Sequence, residues 1–383
     1  MVTLTLYTPG HGEPMETLIL NGLVTSMLEA DPYSKFSIFR EGFRYRVEVR
    51  STNTSGSDVV EVALNCIEED AKLGRSLSKI ELANSPQPVV GAEKILKEVW
   101  LAEGMDVFEE FSNENHSYLT GEGRGSRRKG RKITPLIKAH VPIAPFGGAY
   151  MQFSYISIGT TGRAAFQGPT DYVACPLCVL LAWVGMINTT SIIASRTRNT
   201  IRVLFSTPAP IRADQDDIAV LYTIFGEKVE VYDDVDIPIL ATPLLTLSTG
   251  ETIFAVFGVF NMVFWSFNKQ RTFIGVRDLN ILPLNPLLDF IANAKLKSPN
   301  LPRIVQAFVQ KTRGLPKSEP ELISMLSEAL LFGNYSAYDI VRSWWSALER
   351  RGRLRLLDSG LVNTINICLA KNTLKKILLE KKR

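Results

Sequence analysis

The densest group of charged side chains in the sequence lies in segment 121–132, Gly-Glu-Gly-Arg-Gly-Ser-Arg-Arg-Lys-Gly-Arg-Lys. Its six cations are Arg124, Arg127, Arg128, Lys129, Arg131 and Lys132. Four glycines disfavour helix and strand, so the segment is predicted to be a mobile surface loop. Such a loop can follow a phosphate backbone and release counterions at each contact. Nucleic-acid binding is therefore indicated, and a solvated charged linker is the alternative. A nucleotide-binding P-loop is excluded because Gly130 is not followed by Lys-Ser/Thr.

Basic residues also accumulate towards the end of the chain. Residues 291–383 contain 17 Lys and Arg against 7 Asp and Glu, whereas the rest of the chain has 26 against 32. This asymmetry indicates a polyanionic partner, although a basic tail that aids solubility is the alternative. The candidate contacts here are Arg350, Arg351, Arg353 and Arg355. The adjacent Trp344 and Trp345 have the side chains needed to stack on bases, but helical spacing favours a place in the core.

Two groups of carboxylates raise an enzymatic alternative. Asp214, Asp216 and Asp217 form the first group, and Asp233, Asp234 and Asp236 form the second. Closely spaced carboxylates can hold the divalent metal of a nuclease. However, the first group lies where a helix is predicted to begin, and carboxylates there also favour the helix dipole. The second group is predicted to lie in a turn, so a binding protein is favoured over a metal-dependent nuclease.

Cysteine and histidine chemistry has little material in this chain. Cys175 and Cys178 form a Cys-x-x-Cys pair, which is half of a zinc site, but a closed site needs two more ligands. Only Cys66, Cys368 and three histidines remain, at no recognisable spacing. Two buried thiols are therefore favoured over zinc or redox chemistry, and no cofactor is expected. Hydrolase, metalloprotease and dinucleotide-binding motifs are also absent from the sequence.

Length and composition limit the class of protein. The chain has 383 residues, of which 45% are apolar and 21% charged, so it is globular and long enough for two domains. Four cysteines give no disulfide framework, and the start lacks signal-peptide character, so a cytoplasmic protein is expected. Segment 172–195 has no charged residue, but Pro176, Gly185 and polar residues near its end favour a buried helix over a membrane span.

The pattern of apolar residues predicts an α+β fold in two parts. Residues 1–280 are predicted to form a mixed domain with antiparallel strands, and residues 286–383 a basic helical bundle. In the first part, Phe36–Arg40 and Phe43–Arg50 flank a Glu41-Gly42 turn and alternate with period two, as in a hairpin. Strands are also predicted over Val229–Leu247 and Ile253–Val276, the latter as the two arms of a buried hairpin. In the second part, Ser318 and Glu321 have the spacing of a capping box.

Three stretches of the sequence resemble those of a known family. They are segment 6–12, Leu-Tyr-Thr-Pro-Gly-His-Gly, with the helix after it, segment 145–150, Pro-Phe-Gly-Gly-Ala-Tyr, and the segment from Gly168 through Ala174–Cys178 to Trp183. The family is the large subunit, called Csa-four or Cas-eight-a, of the archaeal type I-A CRISPR interference complex (Cascade). The resemblance covers most of the chain, including its C-terminal helices.

The resemblance implies a non-catalytic subunit of an antiviral, RNA-guided complex. In such complexes guide RNA pairs with the target, while protein reads a short adjacent motif in duplex DNA. The implied partners are a crRNA with its backbone and small subunits, the target double-stranded DNA, the displaced single strand and a helicase-nuclease. The basic loop at 121–132 is assigned to the DNA, and the four C-terminal arginines to the displaced strand or neighbouring subunits. These assignments follow from charge and not from a family motif.

Overall fold

The structure is a computed structural model, and it describes residues 4–69, 106–112, 137–138, 173–174, 176–196, 201–226, 229–249, 257–270, 273–310 and 318–380. The predicted fold class, α+β, is confirmed: an antiparallel sheet with helices is followed by a C-terminal part made of helices. The last strand ends at Pro283 and the next helix begins at Asn285. Whether the two parts fold independently stays a prediction.

Ten strands are assigned within the described residues. They are β1 (Leu4–Tyr7), β2 (Lys35–Glu41), β3 (Arg44–Ser51), β4 (Ile137–Lys138), β5 (Val173–Ala174), β6 (Ser191–Arg196), β7 (Ile201–Asp214), β8 (Val229–Asp233), β9 (Val259–Gln270) and β10 (Phe273–Pro283). Eight of them form one sheet, and β4 and β5 pair separately.

The α-helices of the same residues number eleven. They are α1 (Met15–Ala30), α2 (Gly56–Glu69), α3 (Val107–Ser112), α4 (Pro176–Thr189), α5 (Gln215–Phe225), α6 (Thr242–Thr249), α7 (Asn285–Lys297), α8 (Leu301–Val309), α9 (Glu321–Phe332), α10 (Ala337–Arg350) and α11 (Ser359–Glu380). Two short 3-10 helices cover Ile239–Ala241 and Leu354–Leu356.

The long strand β7 organises the main sheet. Strand β9 pairs with it over residues 201–212, so the other edge of β7 is shared by β6, at residues 201–206, and β2, at residues 212–214. Strands β3 and β1 continue the sheet beyond β2, and β10 continues it beyond β9. Every pairing is antiparallel except that of β6 with β8. Pro208 and Pro210 lie between the β6 and β2 pairings, where neither strand requires a backbone donor.

Helices α1 and α4 pack against each other in the core. A Cβ atom at Gly22 would overlap the carbonyl oxygen of Leu181, and one at Gly185 would overlap that of Leu18. The two backbones therefore approach as closely as glycine permits. Helix α4 has 14 residues and spans roughly 21 Å, less than the roughly 30 Å of a bilayer core. Within the described residues, every helix is either too short or too polar to cross a membrane.

The predicted hairpin is confirmed, with its turn displaced by one residue. Strands β2 and β3 pair from Lys35 to Glu41, and Tyr45, Val47 and Val49 are buried on the inner face as the period-two pattern predicts. Phe43, expected on that face, is 80% exposed, because it belongs to the turn and not to the strand.

The strand predicted over Val229–Leu247 is wrong in its second half. Strand β8 ends at Asp233, and the 3-10 helix and α6 follow. Pro243 occupies the first turn of α6, where its fixed φ favours a helix. A short apolar run does not distinguish a buried strand from a buried helix by periodicity, so the two proline residues at 238 and 243 were the more informative signal. The hairpin predicted over Ile253–Val276 is present as β9 and β10, but its second arm continues to Pro283.

The C-terminal helices pack onto the first part through α6 and the 3-10 helix before it, which contact α7, α8 and α9. The capping box expected at Ser318 is wrong, because α9 begins after Pro320 without a side-chain cap. A capping box instead starts α10, where the side chains of Ser336 and Asp339 each bond the other's backbone N–H.

Candidate nucleic-acid interface

Three exposed arginines line one groove on the C-terminal helices. The groove has a volume of about 630 Å³ and is lined by Pro302, Arg303, Gln306, Arg353, Arg355 and Leu356. All three arginines are exposed, and neither Asp nor Glu is among the residues that line the groove. An arginine fork matches the geometry of phosphate oxygens. The size of the groove and the charge of its lining can accommodate a phosphate group or a short stretch of phosphate backbone.

The two sides of the groove are positioned by different local structures. On one side, α8 buries Ile304, Val305 and Phe308, so that Arg303 and Gln306, three positions apart, share its outer face. On the other side, α10 ends in a Schellman motif that directs the chain out of the helix.

The Schellman motif fixes the direction of Arg353 and Arg355. Gly352 has a φ of 62°, and its N–H donates to the carbonyl oxygen of Glu349 at 2.9 Å. The N–H of Arg353 donates to that of Leu348 at 2.8 Å. These bonds satisfy the last carbonyls of the helix, and the 3-10 helix that follows carries Arg355 into the groove.

The four C-terminal arginines predicted as contacts divide into two pairs. Arg350 and Arg351 both bind Glu319, with N–O distances of 2.6 Å and 3.0 Å. The Arg351 side chain is 1% exposed, and it also donates to the carbonyl oxygen of Gln310 at 3.4 Å. Arg351 is therefore a buried structural ion. Arg350 is exposed but paired with the same carboxylate, whereas Arg353 and Arg355 face solvent in the groove. The sequence alone cannot separate the pairs, because their charges and local spacing are similar.

The two adjacent tryptophans also separate. Trp344 is fully buried, its indole Nε1 donates to the carbonyl oxygen of Leu322 at 2.9 Å, and its ring meets that of Phe308 edge-on at 5.4 Å. Trp345 is 49% exposed. The expectation of a core position therefore holds for Trp344 and fails for Trp345, because neighbouring residues on a helix point about 100° apart.

The other candidate cations lie outside the described residues. This applies to all six basic residues of the 121–132 loop. Their role stays a prediction from the sequence. By contrast, Arg303 was missed by sequence reasoning. The feature of the sequence that could have identified Arg303 is its position on the polar side of an amphipathic helix, in a basic part of the chain.

Four of the six carboxylates of the nuclease alternative, those of Asp214, Asp217, Asp233 and Asp236, have other contacts in the structure. Asp214 accepts bonds from the backbone N–H groups of Asp216 and Asp217 at the start of α5, at 3.0 Å and 3.1 Å. Asp217 in turn accepts from the N–H of Phe257 at 2.7 Å. In the second group, the carboxylate of Asp233 lies 3.9 Å from the guanidinium of Arg196, and that of Asp236 lies 3.3 Å from the guanidinium of Arg202. These contacts cap a helix and pair charges at a turn.

Metal-ligand side chains are dispersed in the described part of the chain, where no group of three His, Cys, Asp or Glu residues could hold a metal ion. Cys178 is fully buried in α4, whereas Cys175 lies outside the described residues. The sulfur of Cys66 lies 3.8 Å from the side-chain oxygen of Asn188, and burial raises the pKa of the Cys368 thiol. The three thiols in the described part of the chain are therefore buried or partly buried.

The N-terminal motif at 6–12 is held by one buried carboxylate. Glu16 of α1 is fully buried and accepts from the N–H groups of Gly10 and His11 at 2.8 Å and 2.6 Å, and also from the Thr8 hydroxyl. Burial raises the pKa of Glu16 to about 7, and these three hydrogen bonds limit the rise. The motif therefore runs from the end of β1 into a structural loop at the start of α1.

The chain is similar to known proteins over most of its length. A family model described as CRISPR-associated protein (Cas_Csa4) matches residues 4–370. A relative from Thermoproteus tenax, named CRISPR system associated protein Cas8, is 23% identical over 368 residues, which cover 91% of this chain and 93% of that protein. Both matches span the sheet and the C-terminal helices that carry the groove.

Proposed function

Because the chain belongs to the Cas_Csa4 family of CRISPR-associated proteins, we propose that it is the nucleic-acid-binding large subunit of an RNA-guided interference complex. In this proposal it contributes to recognition of the motif beside the DNA target, stabilises the opened strands and provides a docking site for the helicase-nuclease. Its partners are a crRNA with backbone and small subunits, the target duplex and the displaced strand. No catalytic residue is assigned to it.

The observation that carries the proposal is the groove of Arg303, Arg353 and Arg355. It lies in the part of the chain with 17 basic and 7 acidic residues, and it is lined without a carboxylate. Three arginines around one groove match a polyanion better than a single surface cation does, because each phosphate neutralised adds counterion release. The basic loop at 121–132 is proposed as a second contact, on the basis of its sequence.

The test measures the binding of the full-length chain to duplex and single-stranded DNA by fluorescence anisotropy at several salt concentrations. The triple variant Arg303→Gln, Arg353→Gln, Arg355→Gln removes the charges of the groove. We expect weaker binding, and a slope of log K against log salt that is shallower by up to about 2.7 on duplex DNA, because up to three phosphates are no longer neutralised.

A matched control removes three exposed cations from the sheet, Lys35→Gln, Arg50→Gln and Arg212→Gln. If this control loses as much affinity and as much of the salt slope as the groove variant, binding depends on net charge and the groove assignment is wrong.

Membership of a complex is tested separately by affinity purification from the native source. A discrete RNA of repeat-spacer length together with several proteins supports the proposal, and recovery of the chain alone contradicts it.

A further inference from the structure

We propose that one exposed face of α10 is a stacking platform for unpaired bases of a single-stranded nucleic acid. The platform consists of Tyr338, Arg342 and Trp345. The inference rests on the proposed nucleic-acid-binding function, and it adds a second site to the groove and names the form of nucleic acid that this site takes.

The two aromatic rings are exposed on the same side of the helix. Tyr338 is 69% exposed and Trp345 is 49% exposed. They are seven residues apart, or nearly two turns, and Arg342 lies between them, four and three positions away. Their separation along the axis is roughly 10 Å, which corresponds to about three base steps of a stacked strand. The spacing therefore allows two bases to stack while the intervening cation meets the backbone.

The orientation of this face is fixed by the opposite side of the helix. Ile340, Trp344 and Leu348 are fully buried there, and the indole of Trp344 is held by its bond to the Leu322 carbonyl. Because consecutive side chains diverge by about 100°, a fixed Trp344 directs Trp345 outward. The exposed ring is thus carried on a rigid element, which lowers the entropic cost of binding.

Charge favours a nucleic acid over an apolar protein partner. Arg342 is exposed between the rings, and aromatic side chains combined with cations are the means by which single strands are bound without base pairing. The nearby Asp339 accepts from the N–H of Ser336 at 3.0 Å in the helix cap. The bonds from Ser336, and to a smaller extent the charge of Arg342, lower the pKa of Asp339, so its carboxylate stays charged and partly offsets Arg342. Glu349 ends the platform one turn beyond Trp345, and its charge opposes binding of a phosphate backbone.

The test compares an oligothymidylate of about 15 nucleotides with an abasic oligonucleotide of the same length. Both probes have the same phosphates, but only the first has bases to stack. For the full-length double variant Tyr338→Ala, Trp345→Ala we expect roughly ten-fold weaker binding of oligothymidylate for each ring removed, with little change for the abasic probe. The variants Tyr338→Phe and Trp345→Phe should retain most of the affinity.

The groove variant with Arg303, Arg353 and Arg355 replaced should lose affinity for both probes, so the two sites are distinguishable. A matched control, Tyr33→Ala with Phe43→Ala, removes two other exposed aromatics and should bind both probes normally. Glu349→Gln should bind both probes more tightly. Thermal unfolding checks that each variant is folded, as expected for substitutions of exposed side chains.

Several outcomes would overturn the inference. Normal binding of oligothymidylate by the double alanine variant would do so, and so would an equal loss of affinity for the abasic probe. If the double alanine variant binds both oligonucleotides normally but no longer enters a multi-protein complex, the face is a protein interface instead. If the unaltered chain binds neither probe, both this inference and the groove are wrong, whereas a defect confined to the groove variant would leave the proposed function standing.

Discussion

The side-chain amide of Asn21 donates to the backbone carbonyl oxygen of Pro208 at 3.1 Å, joining helix α1 to strand β7 across 187 positions of sequence. The carbonyl lies in the stretch of β7 that pairs with neither β6 nor β2. Asn21 also donates to the hydroxyls of Thr189 and Thr207, both at 3.0 Å, and accepts from that of Tyr222 at 2.8 Å. One buried amide therefore bonds four polar groups on three other elements, namely the end of α4, strand β7 and helix α5.

Replacing this amide is predicted to destabilise the protein more than removing any one of its partners. We expect Asn21→Leu to lower the free energy of unfolding by about 3 kcal/mol or more, because several buried polar groups lose their partner at once. Tyr222→Phe removes one bond and should cost about 1 to 2 kcal/mol. Chemical denaturation of both variants measures the difference, and equal costs would contradict a central role for Asn21.

Glu16 should make stability depend on pH. Its pKa is about 7 in the folded protein against an ordinary value of 4.5, so between these values the folded state holds a proton that the unfolded state has released. The free energy of unfolding should therefore fall as pH rises from about 4.5 to 7 and show no further change from this group above that range.

The variant Glu16→Gln isolates this effect. Its amide can still accept from the N–H groups of Gly10 and His11, but it cannot ionise. Urea denaturation at about pH 5 and about pH 8 should show a smaller difference for the variant than for the unaltered protein. The same pH difference in both proteins would show that other groups are responsible.

The buried ion pair of the C-terminal part gives a third prediction. Glu319→Gln should lower the free energy of unfolding by about 3 kcal/mol, because the guanidinium of Arg351 is left buried without its carboxylate. Glu321→Gln, an exposed carboxylate two positions later, should cost at most about 1 kcal/mol. Thermal or chemical denaturation compares the two, and similar small effects would mean that Arg351 has another anionic partner in the folded chain.

The basic loop supplies a fourth prediction. Neutralising Arg127, Arg128 and Lys129 together should weaken DNA binding and flatten its dependence on salt, by a slope of about 0.9 on duplex DNA for each phosphate that the loop no longer neutralises. Anisotropy titrations between about 50 and 200 mM salt measure both quantities. Unchanged affinity at low salt would show that the loop does not bind DNA.

Local patterns in the sequence were sufficient for much of the fold. The hairpin of β2 and β3 followed from alternation, and helix α5 followed from the acidic residues at its start, because both features depend on residues close in sequence. The error at Val229–Leu247 arose where an apolar run has no distinguishing period. There, burial on all sides removes the alternation that identifies a strand.

The sequence by itself determined the excess of positive charge in the last part of the chain, since charge is a sum over residues and does not depend on the fold. Only the tertiary structure decided which arginines are available. Arg351 is buried against Glu319, 32 positions away, whereas Arg353, two residues later, lines an open groove together with Arg303. Ion pairing and exposure depend on which distant groups the packing of helices brings together, and no local pattern specifies that.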